Sequence, residues 1–168
     1  LGDVYKRQGQ ETVVQNSSGW WYIGTDGKVD FHKNTVAPNE YGWWAVRNGA
    51  VDFQLNGIAS NESGDWYCRG GQVDFGAAGV LESETEGFSG WYYIQNGCVQ
   101  KGQETVKQNS NGWWYIGTDG KVDFGFSGIA SNENGTWYIE NGKVNFTYSG
   151  TYEDENGRIY DIKSGNVA

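Results

Sequence analysis

The stretch Gly112-Trp113-Trp114-Tyr115-Ile116-Gly117-Thr118-Asp119-Gly120-Lys121-Val122-Asp123-Phe124 occurs twice, returning letter for letter at residues 19–31. Looser copies begin at Gly42, Gly64, Gly90 and Gly135, and a worn one at Gly157. The starts therefore lie 23, 22, 26, 22, 23 and 22 residues apart. Self-similarity at such a period signals stacked small units, each touching mainly its neighbours. A longer duplication lies on top: residues 9–31 and 102–124 differ only at Val14/Lys107 and Ser18/Asn111. Blocks of several units were copied together.

Within one unit, Trp113–Ile116 is an aromatic and β-branched run that reads as a strand. Thr118-Asp119-Gly120 reads as a turn, and Lys121–Phe124 as the return strand. Asn48-Gly49, Asn96-Gly97 and Asn141-Gly142 are further hairpin turns. No stretch of useful length carries a 3.6-residue period. The expected fold is all-β, an elongated solenoid of stacked β-hairpin repeats of mostly 22–23 residues. Such units are too short for a propeller blade of about 40–45 residues, and a lone hairpin is marginal in water. Residues 9–168 are expected to form a single array of about seven hairpin units. Residues 1–8 fit the repeat poorly and read as a damaged hairpin or a stretch foreign to the native gene. Ile58-Ala59 and Ile129-Ala130, in the matching connectors, suggest a third short extended piece per unit.

Strand alternation assigns two faces. The expected core comprises Trp21, Phe31, Trp44, Phe53, Trp66, Phe75, Trp114, Phe124, Trp137 and Phe146, with the Ile and Val residues that share their parity. The opposite face carries Trp20, Tyr22, Trp43, Trp91, Tyr93, Trp113 and Tyr115, interleaved with charged residues. These seven are the candidate ligand-binding aromatics. An indole face attracts a cation, and aromatic rings also stack on sugar rings.

Composition narrows the function. Nine Trp and eleven Tyr supply burial that Leu usually provides, and 27 Gly with a single Pro exclude collagen. The formal net charge of −9 disfavours nucleic acid and anionic lipid, and no apolar run is long enough to insert in a membrane. Cys68 and Cys98 fall at different repeat positions, which argues against a bridge; Cys68 reads as core filler. The single histidine, His32, has Gly125 as its counterpart in the duplicate and carries no nucleophile motif. Asp30, Asp52, Asp74 and Asp123 recur once per unit, too sparsely for the six to eight oxygens of a calcium site. No catalytic residue, metal or cofactor is expected, and the chain is read as a non-enzyme.

Units such as Asn111–Phe124 and Asn134–Phe146 resemble the cell-wall-binding repeats of Gram-positive surface proteins and secreted hydrolases, the group containing choline-binding and glucan-binding repeats. The resemblance covers about residues 9–168. It implies a β-hairpin solenoid and noncovalent attachment to wall polymer or glycan, including choline-bearing polymer, at an extracellular or cell-surface location. In choline-binding members, aromatics from successive hairpins surround a quaternary ammonium group. The family's usual Thr-Gly-Trp is replaced here by Asn56-Gly57-Ile58, Ser127-Gly128-Ile129 and Ser149-Gly150-Thr151. The rival expectations are a structural stalk without a ligand pocket and an adhesin that uses the outer aromatics on a protein partner.

Overall fold

The computed structural model describes residues 9–168. Expectations for residues 1–8 lie outside the described residues. Among the described residues every regular element is a strand, and these strands form two antiparallel sheets of eleven and eight. The chain divides into two compact units. The first runs to Ala77 and takes in 83–89 and 96–99; the second comprises 78–82, 90–95 and 100–168.

The first three repeats contribute β1 (Thr12–Asn16) and β2 (Gly19–Ile23), then β3 (Thr35–Asn39), β4 (Gly42–Arg47) and β5 (Ala50–Val51), then β6 (Gly57–Asn61), β7 (Gly64–Arg69) and β8 (Gln72–Val73). The fourth contributes β9 (Gly79–Thr85), β10 (Phe88–Gln95) and β11 (Cys98–Val99). The last three contribute β12 (Thr105–Asn109) and β13 (Gly112–Ile116), β14 (Gly128–Asn132), β15 (Gly135–Glu140) and β16 (Lys143–Val144), then β17 (Gly150–Glu153), β18 (Ile159–Lys163) and β19 (Asn166–Val167).

The hairpins are real, but their long arm differs from the sequence expectation. The aromatic strand pairs over its full length with the connector before it, as in Thr105↔Ile116 through Asn109↔Gly112. The connector's "third piece" is thus the principal partner. The expected return strand Lys121–Phe124 shrinks to two isolated bridges, Ile116↔Val122 within the hairpin and Tyr92↔Lys121 to the repeat before. The first repeat likewise keeps only the bridge Ile23↔Val29, whereas in the second, third, fourth, sixth and seventh the return is two residues long, and it is a stitch. In the first unit β5 lies between β2 and β4, and β8 between β4 and β7; in the second, β16 lies between β13 and β15. The turn glycine secures the same joint: Gly142 donates its N–H to Phe126 and accepts from Tyr115 N–H. It must be glycine, because its φ is +77° and a Cβ would sit 2.5 Å from the Asp123 carbonyl oxygen.

The core is a series of clusters, each shared by two successive repeats. Val13 and Tyr22 meet Ala37, Trp44, Val46 and Val51. Val106 and Tyr115 likewise meet Ala130, Ile139 and Val144. Cys68 is fully buried and no disulfide joins it to Cys98.

Several expected core residues are not in the core. Phe31, Phe53, Phe75, Phe124 and Phe146 are 43–59% exposed. Strand alternation ends at the preceding valine, because the intervening Asp or Asn turns the chain. Asp123 Oδ1 accepts the Gly125 N–H at 2.8 Å, and Asp52 Oδ1 the Gln54 N–H at 3.0 Å. The repeated acids are therefore turn formers. Trp21, Trp66, Trp114 and Trp137 are half-buried, whereas Trp44 is buried. Conversely Tyr22 and Tyr115, expected on the outer face, are 3% and 5% exposed. The next repeat covers this face: Ala37 and Trp44 pack with Tyr22, and Phe126 stacks on Tyr115 at 3.8 Å.

Candidate functional site

The exposed phenylalanines, the first Trp of one repeat and the second Trp of the next converge into three-ring cups. In the first unit, Trp20, Trp44 and Phe53 have ring centroids 5.0, 5.7 and 5.7 Å apart. Trp43, Trp66 and Phe75 repeat the arrangement at 5.0, 5.5 and 5.7 Å. In the second unit, Trp113, Trp137 and Phe146 stand at 5.0, 5.6 and 5.8 Å. Trp91 and Phe124 flank Trp114 at 5.4 and 5.6 Å. The rings are tilted or edge-on to one another, so each cup presents several π faces to one point. Four cups occur among the described residues because Asp65 and Thr136 stand where other repeats have the first Trp.

An asparagine sets each second Trp. Asn61 Oδ1 accepts the Trp66 indole N–H at 2.9 Å and the Ser63 N–H at 2.9 Å, while its amide donates to the Val36 carbonyl at 3.0 Å. Asn132 does the same with Trp137, Asn134 and the Val106 carbonyl, at 2.9, 2.9 and 3.0 Å. One side chain thus shapes the hairpin turn, orients the indole and ties the repeat to its predecessor. The Asn-x-x-Gly-x-Trp spacing, present at Asn16, Asn39, Asn61, Asn109 and Asn132, is legible in the sequence but was not part of the expectation.

Of the seven candidate aromatics, Trp20, Trp43, Trp91 and Trp113 enter cups as half-buried walls. Tyr22 and Tyr115 do not. The Tyr22 hydroxyl donates to Glu11 at 2.6 Å inside the core edge, and burial raises its pKa well above the ordinary phenol value. Burial followed by hydrogen bonding to Glu104 pushes Tyr115 up to about 12. Tyr93 is half-buried with the Lys107 ammonium 5.2 Å from its ring centre. The cup member missing from the candidates was the Phe series, assigned to the core by a strand parity that stops one residue earlier.

The chain is thus an all-β repeat protein whose successive aromatic hairpins share three-ring cups. This chain belongs to the choline-binding repeat family, whose model, described as a choline-binding repeat, matches residues 11–30, 33–52, 56–74, 89–100 and 125–145, more than half of its length. Among solved structures, CbpJ from Streptococcus pneumoniae TIGR4 is similar at 19% identity and TM-score 0.40, over 94% of this chain and 52% of that one. Choline binding protein F from Streptococcus pneumoniae follows at 18% and 0.39, over 93% and 51%. An alternansucrase solved with isomaltononaose is similar at 14% and 0.33, over 95% of this chain and 13% of that one. The chain thus spans about half the length of the two choline-binding proteins. No curated protein sequence matches it.

Proposed function

We propose that this chain is a noncatalytic module that recognises the quaternary ammonium of choline on an extracellular cell-wall polymer, and so attaches a larger protein to that polymer. The observation that carries the reading is the cup repeated between successive repeats. A trimethylammonium group is apolar on its surface and carries a full charge, which suits several indole and phenyl faces at once. Each contact contributes about 0.5–2 kcal/mol, depending on how dry the site is. The net charge of −9 favours a cationic ligand over an anionic one. Individually weak cups gain avidity when one polymer presents choline to several of them together. A bare stalk is the poorer account, because it leaves the half-exposed rings of every cup without a use.

The test is a titration followed by indole fluorescence and calorimetry, with choline against its uncharged isostere 3,3-dimethylbutan-1-ol. Saturable binding of choline and a much weaker response to the isostere are expected. Equal responses would reduce the cups to greasy surface, and silence with choline would remove the proposal.

A further inference from the structure

The fourth repeat breaks the 22–23-residue period, and its β9–β10 hairpin is the longest among the described residues. Its tip, 83–89, belongs to the first compact unit and lies over β6. Ser83, only 2% exposed, accepts the Ile58 N–H at 3.0 Å, and the Thr85 hydroxyl donates to the Ile58 carbonyl at 2.6 Å. Gly57 makes room for this, since a Cβ there would meet Ser83 and Thr85 within 2.8 Å. The two hydroxyls cap the backbone of β6, which would otherwise be an open edge.

Beside that seam the tip walls a pocket of about 400 Å³, within the range of small-ligand sites. Its floor is apolar and buried: Val46, Leu55 and Ile58 are 2%, 5% and 1% exposed. Half-buried Phe88 forms one wall. The rim carries Asn34, Arg47, Asn48 and Glu86. Much of this polar capacity is uncommitted. Asn34 spends only its carbonyl oxygen, on the Asn48 N–H at 2.8 Å, and Arg47 only a 3.6 Å contact from its Nε to Asp52. The Glu86 carboxylate and the Asn48 amide have no hydrogen-bond or ion-pair partner.

From this we infer a second binding site, built by the β9–β10 tip against the second and third repeats, for a neutral pyranose saccharide. An aromatic wall and an apolar floor suit the C–H face of a sugar ring. Donors on Asn34, Asn48 and Arg47 and the acceptor on Glu86 match hydroxyls, which both donate and accept. The cups, by contrast, are walled by aromatic rings. The pocket is therefore a sugar site separate from the ammonium sites, and it stands whether or not the cups take choline.

The experiment is NMR on the whole chain, following the Asn34 and Asn48 side-chain amides. The probes are maltotriose, isomaltotriose and chitotriose, each with and without saturating choline. At least one trisaccharide should shift both amides saturably, with choline leaving the curve unchanged. Phe88→Ala and Glu86→Gln should each weaken it by about tenfold, as expected for a lost ring contact or charged hydrogen bond. Cup fluorescence in the same variants reports that the fold is intact. No shift with any probe, shifts that survive both substitutions, or displacement by choline would each overturn the assignment.

Discussion

The indoles of Trp113 and Trp137 lie 5.0 Å apart between ring centres, although they occupy adjacent rather than equivalent positions of successive repeats. Trp137 matches Trp114, not Trp113, in the repeat register. The offset makes a cup out of two hairpins that separately present only flat aromatic strands.

Phe146 closes the Trp113/Trp137 cup from outside and is 44% exposed. Phe146→Ala should therefore cost little stability, within about 0.5–1 kcal/mol, yet remove one wall of the proposed cation site. Calorimetry should show one fewer choline equivalent, or one class weakened several-fold. A variant that unfolds early, with choline binding per folded molecule intact, would return Phe146 to the core.

Asn132→Ala removes the acceptor for Trp137 and Asn134 and the donor to Val106. Loss of three hydrogen bonds, two of them partly buried, should cost about 1–3 kcal/mol, visible as a lower urea midpoint with an unchanged slope. Asn132→Asp keeps both acceptor bonds and loses only the donated one, so it should fall between. Equal midpoints for wild type and Asn132→Ala would show that the clamp is dispensable.

Lys143 places its ammonium 5.1 Å from the Trp114 ring centre, and Trp114 is the middle ring of the Trp91/Trp114/Phe124 cup. A resident cation should disfavour a second one there. Lys143→Gln is expected to raise choline affinity at that cup about two- to fivefold in low salt, with the gain shrinking as salt screens the charge. A drop in affinity would mean that the lysine shapes the cup instead of competing for it.

Tyr22 and Tyr115 link stability to alkaline pH. Both phenols have folded pKa values raised by burial and then by a hydrogen-bonded glutamate, Tyr115 to about 12. An unfolded tyrosine ionises near 10. The folded state therefore holds its proton longer, and the stability this contributes is complete below about pH 10 and lost as pH climbs through 10 toward 12. Urea midpoints should be flat from pH 7 to about 9 and fall beyond 10. Removing the Glu104 charge (Glu104→Gln) should lower the pH at which Tyr115 ionises, read from tyrosinate absorbance. An unchanged titration would exclude Glu104 as a cause.

Much of this was legible beforehand. The repeat, the all-β class, the turn glycines and the burial of Cys68 all follow from local chemistry and period. Phe124 was misplaced because alternation holds only while the chain stays extended, and Asp123 ends that extension with its own side chain. Tyr115 was misplaced because the strand's outer face is roofed by the next repeat, where Phe126 stacks on its ring at 3.8 Å.

The order of residues thus determined which segments extend, where they reverse and how often the motif recurs, since these depend on neighbours a few positions away. Only the assembled hairpins decided which rings share a cup, which lie buried, and that the fourth hairpin reaches back over Ile58. Those outcomes depend on contacts and hydrogen bonds between residues more than twenty positions apart.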